Sequence, residues 1–416
     1  MKNLISKYTR VLGISAAVAC LLAGMSHATD KGPVKIGFLV GFTGDYAAWS
    51  APEHDAALLA VEEINASGGV LGRKVELVSE DNGSTVAGAV RGAQKLASVD
   101  GVSAIVGPES DPVMALLKFA KDNKVPVIPT AAGTDGLDKA GGTGKFVYRT
   151  TASDSFLGVV HAKMILDELK AHELVLVVEN LEGTQSAATN FKRAFEKLGG
   201  KVTKTITLSS GQANYLSEIQ DLAGQEPELI YLAAGQTAGV SFVKQAYQRG
   251  YDWKWWVTAE LQTPDFVNAT GVDVVKGFMN AVTSQAEGSK SAQRFVDAYE
   301  KRFGEKPEPG FYQAETYDAV IAVALAMEAA GATTGAAVDE QLAAVSGPGG
   351  EKIMSFAEGV SALKAGKDID YDGASGSIDF DQNGNVTAPA ARLLRVDDQG
   401  AWTTVKVVDS GSFPAN

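Results

Sequence analysis

From Val34 onward, short runs rich in Val, Ile and Leu alternate with longer stretches whose apolar residues recur at helical spacing. That alternation predicts parallel strands covered by helices. The expected strands are 34–40, 74–80, 102–106, 126–129, 174–179, 202–208, 229–233 and 255–259. Between the first two, Ser50-Ala51-Pro52-Glu53 has the form of a capping box with Pro in the first turn. Ala57, Ala60, Val61 and Ile64 then form an apolar stripe, and Gly68-Gly69 ends the predicted helix. The same strand-helix unit recurs often enough to require two sheets rather than one.

After about Ala281 the alternation gives way to helical periodicity over 291–303, 312–330, 339–345 and 354–365. Strands are expected again at 376–380, 392–396 and 405–408, with Asn383-Gly384 as a hairpin turn between the first two. No long Pro/Gly/Ser linker separates the halves, so the chain is expected to cross between two α/β lobes more than once.

Residues 1–28 break this pattern. They carry Lys2, Lys7 and Arg10 without an acid, then an apolar run from Val11 to Ala23, then Ser26-His27-Ala28, the organisation of a cleaved secretory signal peptide. The apolar run is shorter than the roughly 20 residues that span a bilayer, so a soluble exported chain is expected. Cleavage removes three positive charges and takes the net charge from −13 to −16. It also removes Cys20, the single cysteine of the 416 residues, unless Cys20 is itself a lipidation site. An acidic chain without clustered cysteines or histidines argues against nucleic acid as a partner and against a thiolate metal site.

Several motifs invite a chemical reading. The loop after 34–40, Gly41-Phe42-Thr43-Gly44, lies where open α/β sheets bind ligands, but it lacks the GxGxxG spacing of a dinucleotide site. Gly141-Gly142-Thr143-Gly144-Lys145 is followed by Phe146 where a phosphate loop needs Ser or Thr, and reads as a turn. In Gly107-Pro108-Glu109-Ser110-Asp111-Pro112, backbone N–H groups at a strand end could receive a ligand, while Asp111-Pro112 also has the form of an N-cap followed by Pro. The small residues of Thr130-Ala131-Ala132-Gly133-Thr134 would let a ligand approach the backbone, and Glu260, past a predicted strand end, could pair with an ammonium.

Trp253, Trp255 and Trp256 read as packing residues, and His54, His161 and His172 as solvated or capping groups. Asp379, Asp381, Asn383 and Gly384 match the opening of a calcium loop, but Ala390 stands where its closing Glu is needed. No GxSxG elbow and no His in a catalytic motif are present, so catalysis is not expected and neither a cofactor nor a metal is predicted.

Taken in order, KIGFLVGFTGDYAAW, EEINASGGVLGRKVELVSED, AIVGPES, VPVIPTAAGT, YRTTASD, YQAETYDAV and GASGSIDFDQNGNV resemble the branched-chain amino-acid-binding family of type I periplasmic receptors of ABC transporters. The resemblance covers nearly all of the chain after the signal segment. It implies two Rossmann-like lobes joined by three hinge crossovers, with 30–150 plus 280–370 in one lobe and 151–279 plus 371–416 in the other. It further implies a periplasmic monomer that captures a small solute and delivers it to an inner-membrane permease and ATPase complex. A ligand-sensing role without transport is the alternative.

By the same resemblance, Ser110, Asp111, Ala132, Gly133 and Thr134 would hold an α-carboxylate and part of an ammonium group, and Glu260 would complete the ammonium site. Trp49, Phe311 and Tyr312 would line the side-chain pocket, and Asp154 would stand near the first hinge. Thr184 and Gln236 fall where relatives often place tyrosines. Asp111 departs from the pattern, since a carboxylate aimed at a ligand carboxylate repels it. Either its side chain turns away, or the solute is not an ordinary α-amino acid. A cationic or amide-bearing solute would suit Asp111, Gln236 and Glu260 better than leucine.

Overall fold

Ten of the thirteen strands among the described residues overlap an expected one. The computed structural model describes residues 32–284, 288–388 and 390–413, so the predicted signal peptide and Cys20 lie outside the described residues. β1 (Val34–Val40), β2 (Val75–Asp81), β3 (Ile105–Val106) and β4 (Val127–Ile128) form a parallel sheet in the order β2-β1-β3-β4. β5 (Glu173–Glu179), β6 (Lys201–Leu208), β7 (Ile230–Ala233), β8 (Trp255–Val257) and β9 (Met279–Ser284) belong to a second sheet. β10 (Glu351–Ile353) pairs with β11 (Ile369–Tyr371), and β12 (Ala390–Val396) and β13 (Trp402–Asp409) complete the second sheet in the order β13-β12-β9-β8-β7-β5-β6. β5 to β9 run parallel, whereas β12 is antiparallel to both β9 and β13.

The central strands of both large sheets are buried on both faces, which is why they read as unbroken apolar runs rather than alternating ones. One face of the first sheet packs on the helix Gln313–Ala330, whose residues from Thr316 to Met327 are all buried. A helix apolar all round belongs inside a core. The helices Ala47–Ala66 and Lys290–Phe303 join that layer, and Leu39, Ala89, Ala93 and Leu96 pack on the opposite face. The second sheet lies between two apolar clusters, one around Phe242 and Trp255 and the other around Phe191 and Trp256. The chain passes between the two layers three times among the described residues: before Asp154, after Ser284 and before Ala390.

The departures from expectation have local causes. The helix that follows β1 begins at Ala47, not at the Ser50 box. Ser50 Oγ instead donates to Gly41 O at 2.8 Å and thereby anchors the loop after β1. The 376–380 stretch is not a strand, and Asn383-Gly384 does not turn a hairpin. Ile378 and Phe380 are drawn into the core beside Tyr148, and Gly384 O accepts from Arg149 N at 2.8 Å. The hairpin actually present joins β12 to β13 through Asp397–Gly400. Asp381 Oδ1 is taken up by the N–H groups of Asn383 and Asn385. Among the described residues no cluster of His, Cys, Asp or Glu could hold a metal ion, and no single helix is long and apolar enough to cross a membrane.

Candidate functional site

A cavity of ≈ 60 Å³ lies where strands of both sheets end. Its walls come from the segments that follow β1, β3, β4, β5, β8 and β9, and from the interior of β7 and β9. Carboxyl ends of parallel strands are where this architecture leaves an open crevice. Room for only a few water-sized molecules fits a small solute.

Six predicted site residues line this cavity: Trp49, Ser110, Gly133, Asp154, Glu260 and Tyr312. Trp49 stacks on Tyr46, with ring centroids 5.7 Å apart and planes at 18°, and meets Tyr312 edge-on at 5.3 Å. Tyr312 adopts φ +54, a left-handed conformation that a bulky residue takes only when its surroundings impose it. Gly133 lies so close to Asp154 that a Cβ there would stand 2.2 Å from Asp154 Oδ1. Gly133 O in turn accepts from Asp154 N at 2.7 Å. Phe311 does not line the cavity but packs behind it with Tyr46, Trp49 and Ala131.

The remaining predicted residues do not line the cavity. Ala132 is fully buried in the core under the loop. Thr134 Oγ1 donates to Glu182 Oε1 at 2.9 Å, and Thr184 Oγ1 donates to Glu179 O at 2.7 Å, back to the end of β5. Gln236 is bonded to Thr263 through their side chains. Asp111 does not cap its own helix, whose N-cap is Glu109. Its carboxylate turns across to the other lobe, where it accepts from Glu182 N at 2.9 Å and Gly183 N at 3.4 Å, and from Tyr46 Oη at 3.0 Å.

Glu109, Glu315, His161 and Tyr231 also line the cavity, although the sequence reading did not single them out for it. His161 had a legible signal. Asp154, Leu157, Gly158 and His161 share one face of the helix Asp154–Met164 and all face the cavity. Glu315 lies three residues beyond Tyr312, in the first turn of the helix Gln313–Ala330. Tyr231 had none, because it stands inside a strand. His161 is buried rather than solvated. Its Nε2 faces Ala281 O at 2.8 Å and must donate, so Nδ1 accepts from Tyr231 Oη at 2.9 Å. Burial pulls its pKa down to about 4, so the ring is neutral and both nitrogens are occupied.

The carboxylates are pushed the other way. Burial raises Glu109, Asp154 and Glu315 to about 7 and lifts Glu260 above its ordinary value. Glu109 is partly compensated by Gly41 N–H at 2.6 Å and Asn82 Nδ2 at 2.8 Å. Behind the cavity wall, burial and neighbouring Glu109 raise Glu53 well above its ordinary value, although Thr130 Oγ1 donates to it at 3.2 Å.

Compared with known proteins, residues 33–401 match the family described as periplasmic binding protein. A leucine-, isoleucine-, valine-, threonine- and alanine-binding protein of Pseudomonas aeruginosa is 25% identical over 337 residues, covering 80% of this chain and 88% of that protein. A chemotactic signal transduction system substrate-binding protein, BasB, of Halobacterium salinarum is 26% identical over 367 residues, covering 84% and 83%. The isoleucine complex of the substrate-binding protein LivJ from Streptococcus pneumoniae superposes with a TM-score of 0.76 at 25% identity, covering 91% of this chain and 99% of that one.

Proposed function

Because this chain belongs to the periplasmic binding protein family, the one that includes the Leu/Ile/Val-binding receptors its sequence resembles, we propose that it is the solute-binding component of an ABC importer. It captures a small polar or amino-acid-like solute between its lobes and passes it unchanged to a membrane permease and ATPase. The observation that carries this reading is the cavity itself, whose walls combine residues from both sheets, such as Ser110 and Tyr312 with Asp154 and Glu260. A solute there binds both lobes at once and so favours their closed arrangement.

The lobes of this reading are 30–150 plus 280–370 and 151–279 plus 371–416. The packing of Ile378, Phe380 and Val386 into the first lobe's core supports moving the last boundary to about Ala388. Export by a signal peptide over residues 1–28, and action as a monomer in the periplasm, complete the reading.

A thermal-shift screen of residues 29–416 against amino acids, amides, amines and aromatic acids tests it, since a solute that binds only the folded state raises the melting temperature. No shift with any class would count against capture. The similarity to a chemotactic substrate-binding protein favours a second reading, solute sensing without transport. Deleting the gene separates the two: loss of uptake of the bound solute supports import, whereas loss of taxis with uptake intact supports sensing.

A further inference from the structure

Resting on that solute-binding reading, we propose that the captured solute is a small organic cation, an amine with one or two ammonium groups and no carboxylate. Four carboxylates line the cavity, Glu109 and Glu315 from one lobe and Asp154 and Glu260 from the other, and no Lys or Arg stands among its lining residues. The groups around them add to the negative field, since Glu53, Asp81, Asp111, Asp135, Glu179 and Asp318 all act on these acids or their neighbours. Arg149 is the cation that reaches Asp154, but its guanidinium is committed to Asp138 and to the carbonyls of Gly133 and Thr134 at 3.1 and 3.0 Å. His161 is neutral and supplies no charge.

The hydrogen bonds made to these acids do not replace a cation. Glu109 has Gly41 N–H and Asn82, Asp154 has Ser186, Glu260 has Thr258, and Glu315 has its own backbone N–H. A buried carboxylate without a counter-charge is driven toward its protonated form. An ammonium entering the cavity would restore the charged form of several at once. Independently, the indole Nε1 of Trp49, a residue only 4% exposed in the cavity wall, has no hydrogen-bond partner. It is a donor, so an amine that also carries a hydroxyl or another neutral oxygen would satisfy it, whereas an ammonium alone would not. The rings of Tyr46, Trp49 and Tyr312 close one side, and an ammonium over such faces is attracted by the ring quadrupole. An α-amino acid would bring its own carboxylate into this field beside Glu109. Arg392, whose guanidinium Nε has no hydrogen-bond partner, lines an adjoining groove that shares Tyr312 and Glu315 with the cavity and is not itself among the cavity's lining residues.

Titration calorimetry on residues 29–416, refolded to remove any co-purified solute, tests this with 1,4-diaminobutane, n-butylamine, leucine, 4-aminobutanoate and butyramide. The amines are expected to bind at least about tenfold tighter than leucine. Their affinity should rise between roughly pH 6 and 8, because the cation expels protons from carboxyls that titrate near 7. Asp154→Asn and Glu315→Gln should each lower diamine affinity about tenfold or more without lowering the melting temperature of the empty protein. Tightest binding of leucine, 4-aminobutanoate or butyramide overturns the cation assignment and leaves solute capture standing. Leading affinity for 4-aminobutanoate would point its carboxylate at Arg392. Silence from all five compounds overturns the cation assignment, and silence extending to all amino acids and aromatic acids removes solute capture as well.

Discussion

Asp111 Oδ1 accepts a hydrogen bond from the backbone N–H of Glu182 at 2.9 Å, so a carboxylate of one lobe caps the helix Glu182–Lys197 of the other. That helix has no side-chain cap of its own, and a negative charge is favoured where its first N–H groups converge. Asp111→Ala should remove about 1 kcal/mol from the arrangement in which the lobes touch. Because a less populated competent state lowers apparent affinity in proportion, solute binding should weaken roughly fivefold. Calorimetry together with the dissociation rate checks this, and tighter binding in the variant would contradict it.

Glu260→Gln should weaken an ammonium-bearing solute by about 3 kcal/mol, the typical consequence of leaving a buried charge without its partner. Calorimetry showing wild-type affinity would remove Glu260 from the site.

Gly133→Ala tests the closest approach in the cavity wall. The added methyl would meet Asp154 Oδ1 at 2.2 Å and displace the carboxylate. Solute affinity should fall, with an overpacking penalty of about 1 to 3 kcal/mol in stability. A normal melting curve with normal affinity would mean that Asp154 moves freely.

The empty protein should lose stability as pH rises. Glu109, Asp154 and Glu315 bind their protons more tightly folded than unfolded, with folded values of about 7 against ordinary values of 4.5, 3.8 and 4.5. Their contribution is therefore complete at pH values below the ordinary ones and is lost as pH climbs toward about 7. Differences of this size correspond to roughly 3 to 4 kcal/mol per group. Glu315→Gln should flatten the fall in melting temperature between about pH 4.5 and 7. A melting temperature that rises across this interval would refute the assignment.

Asp318 holds the segment Tyr371–Ser375 to the central helix. Its carboxylate accepts from Tyr371 Oη, Ala374 N, Ser375 N and Ser375 Oγ, at 2.6 to 2.8 Å. Asp318→Ala would leave these buried donors without an acceptor and should destabilise the fold by roughly 3 to 5 kcal/mol. Urea unfolding at neutral pH measures it, and a loss below about 1 kcal/mol would show that the segment relaxes freely.

The fold was largely legible because its signals are short in range. The strand at Val34–Val40 has the expected bounds, and those at Glu173–Glu179 and Lys201–Leu208 differ by one residue, since buried parallel strands write themselves as apolar runs. β9 was missed because Met279–Ser284 carries Asn280, Thr283 and Ser284. Asn280 is nevertheless fully buried, its amide donating to Gln262 Oε1 at 2.8 Å. The site was legible in its loops and less so in its partners. Ser110, Gly133 and Glu260 stand at strand ends, which a sequence reveals. Whether Asp111 faced the cavity or the opposite helix depended on a residue 71 positions away.

Asp45 accepts from Thr237 Oγ1 at 2.7 Å and from Thr237 N at 3.2 Å, so a second polar clasp spans the molecule besides the one at Asp111. Each clasp seats a carboxylate on the first turn of a helix, Glu182–Lys197 or Gln236–Gln248, so replacing either acid loosens the grip on a rigid rod rather than on a pliable loop.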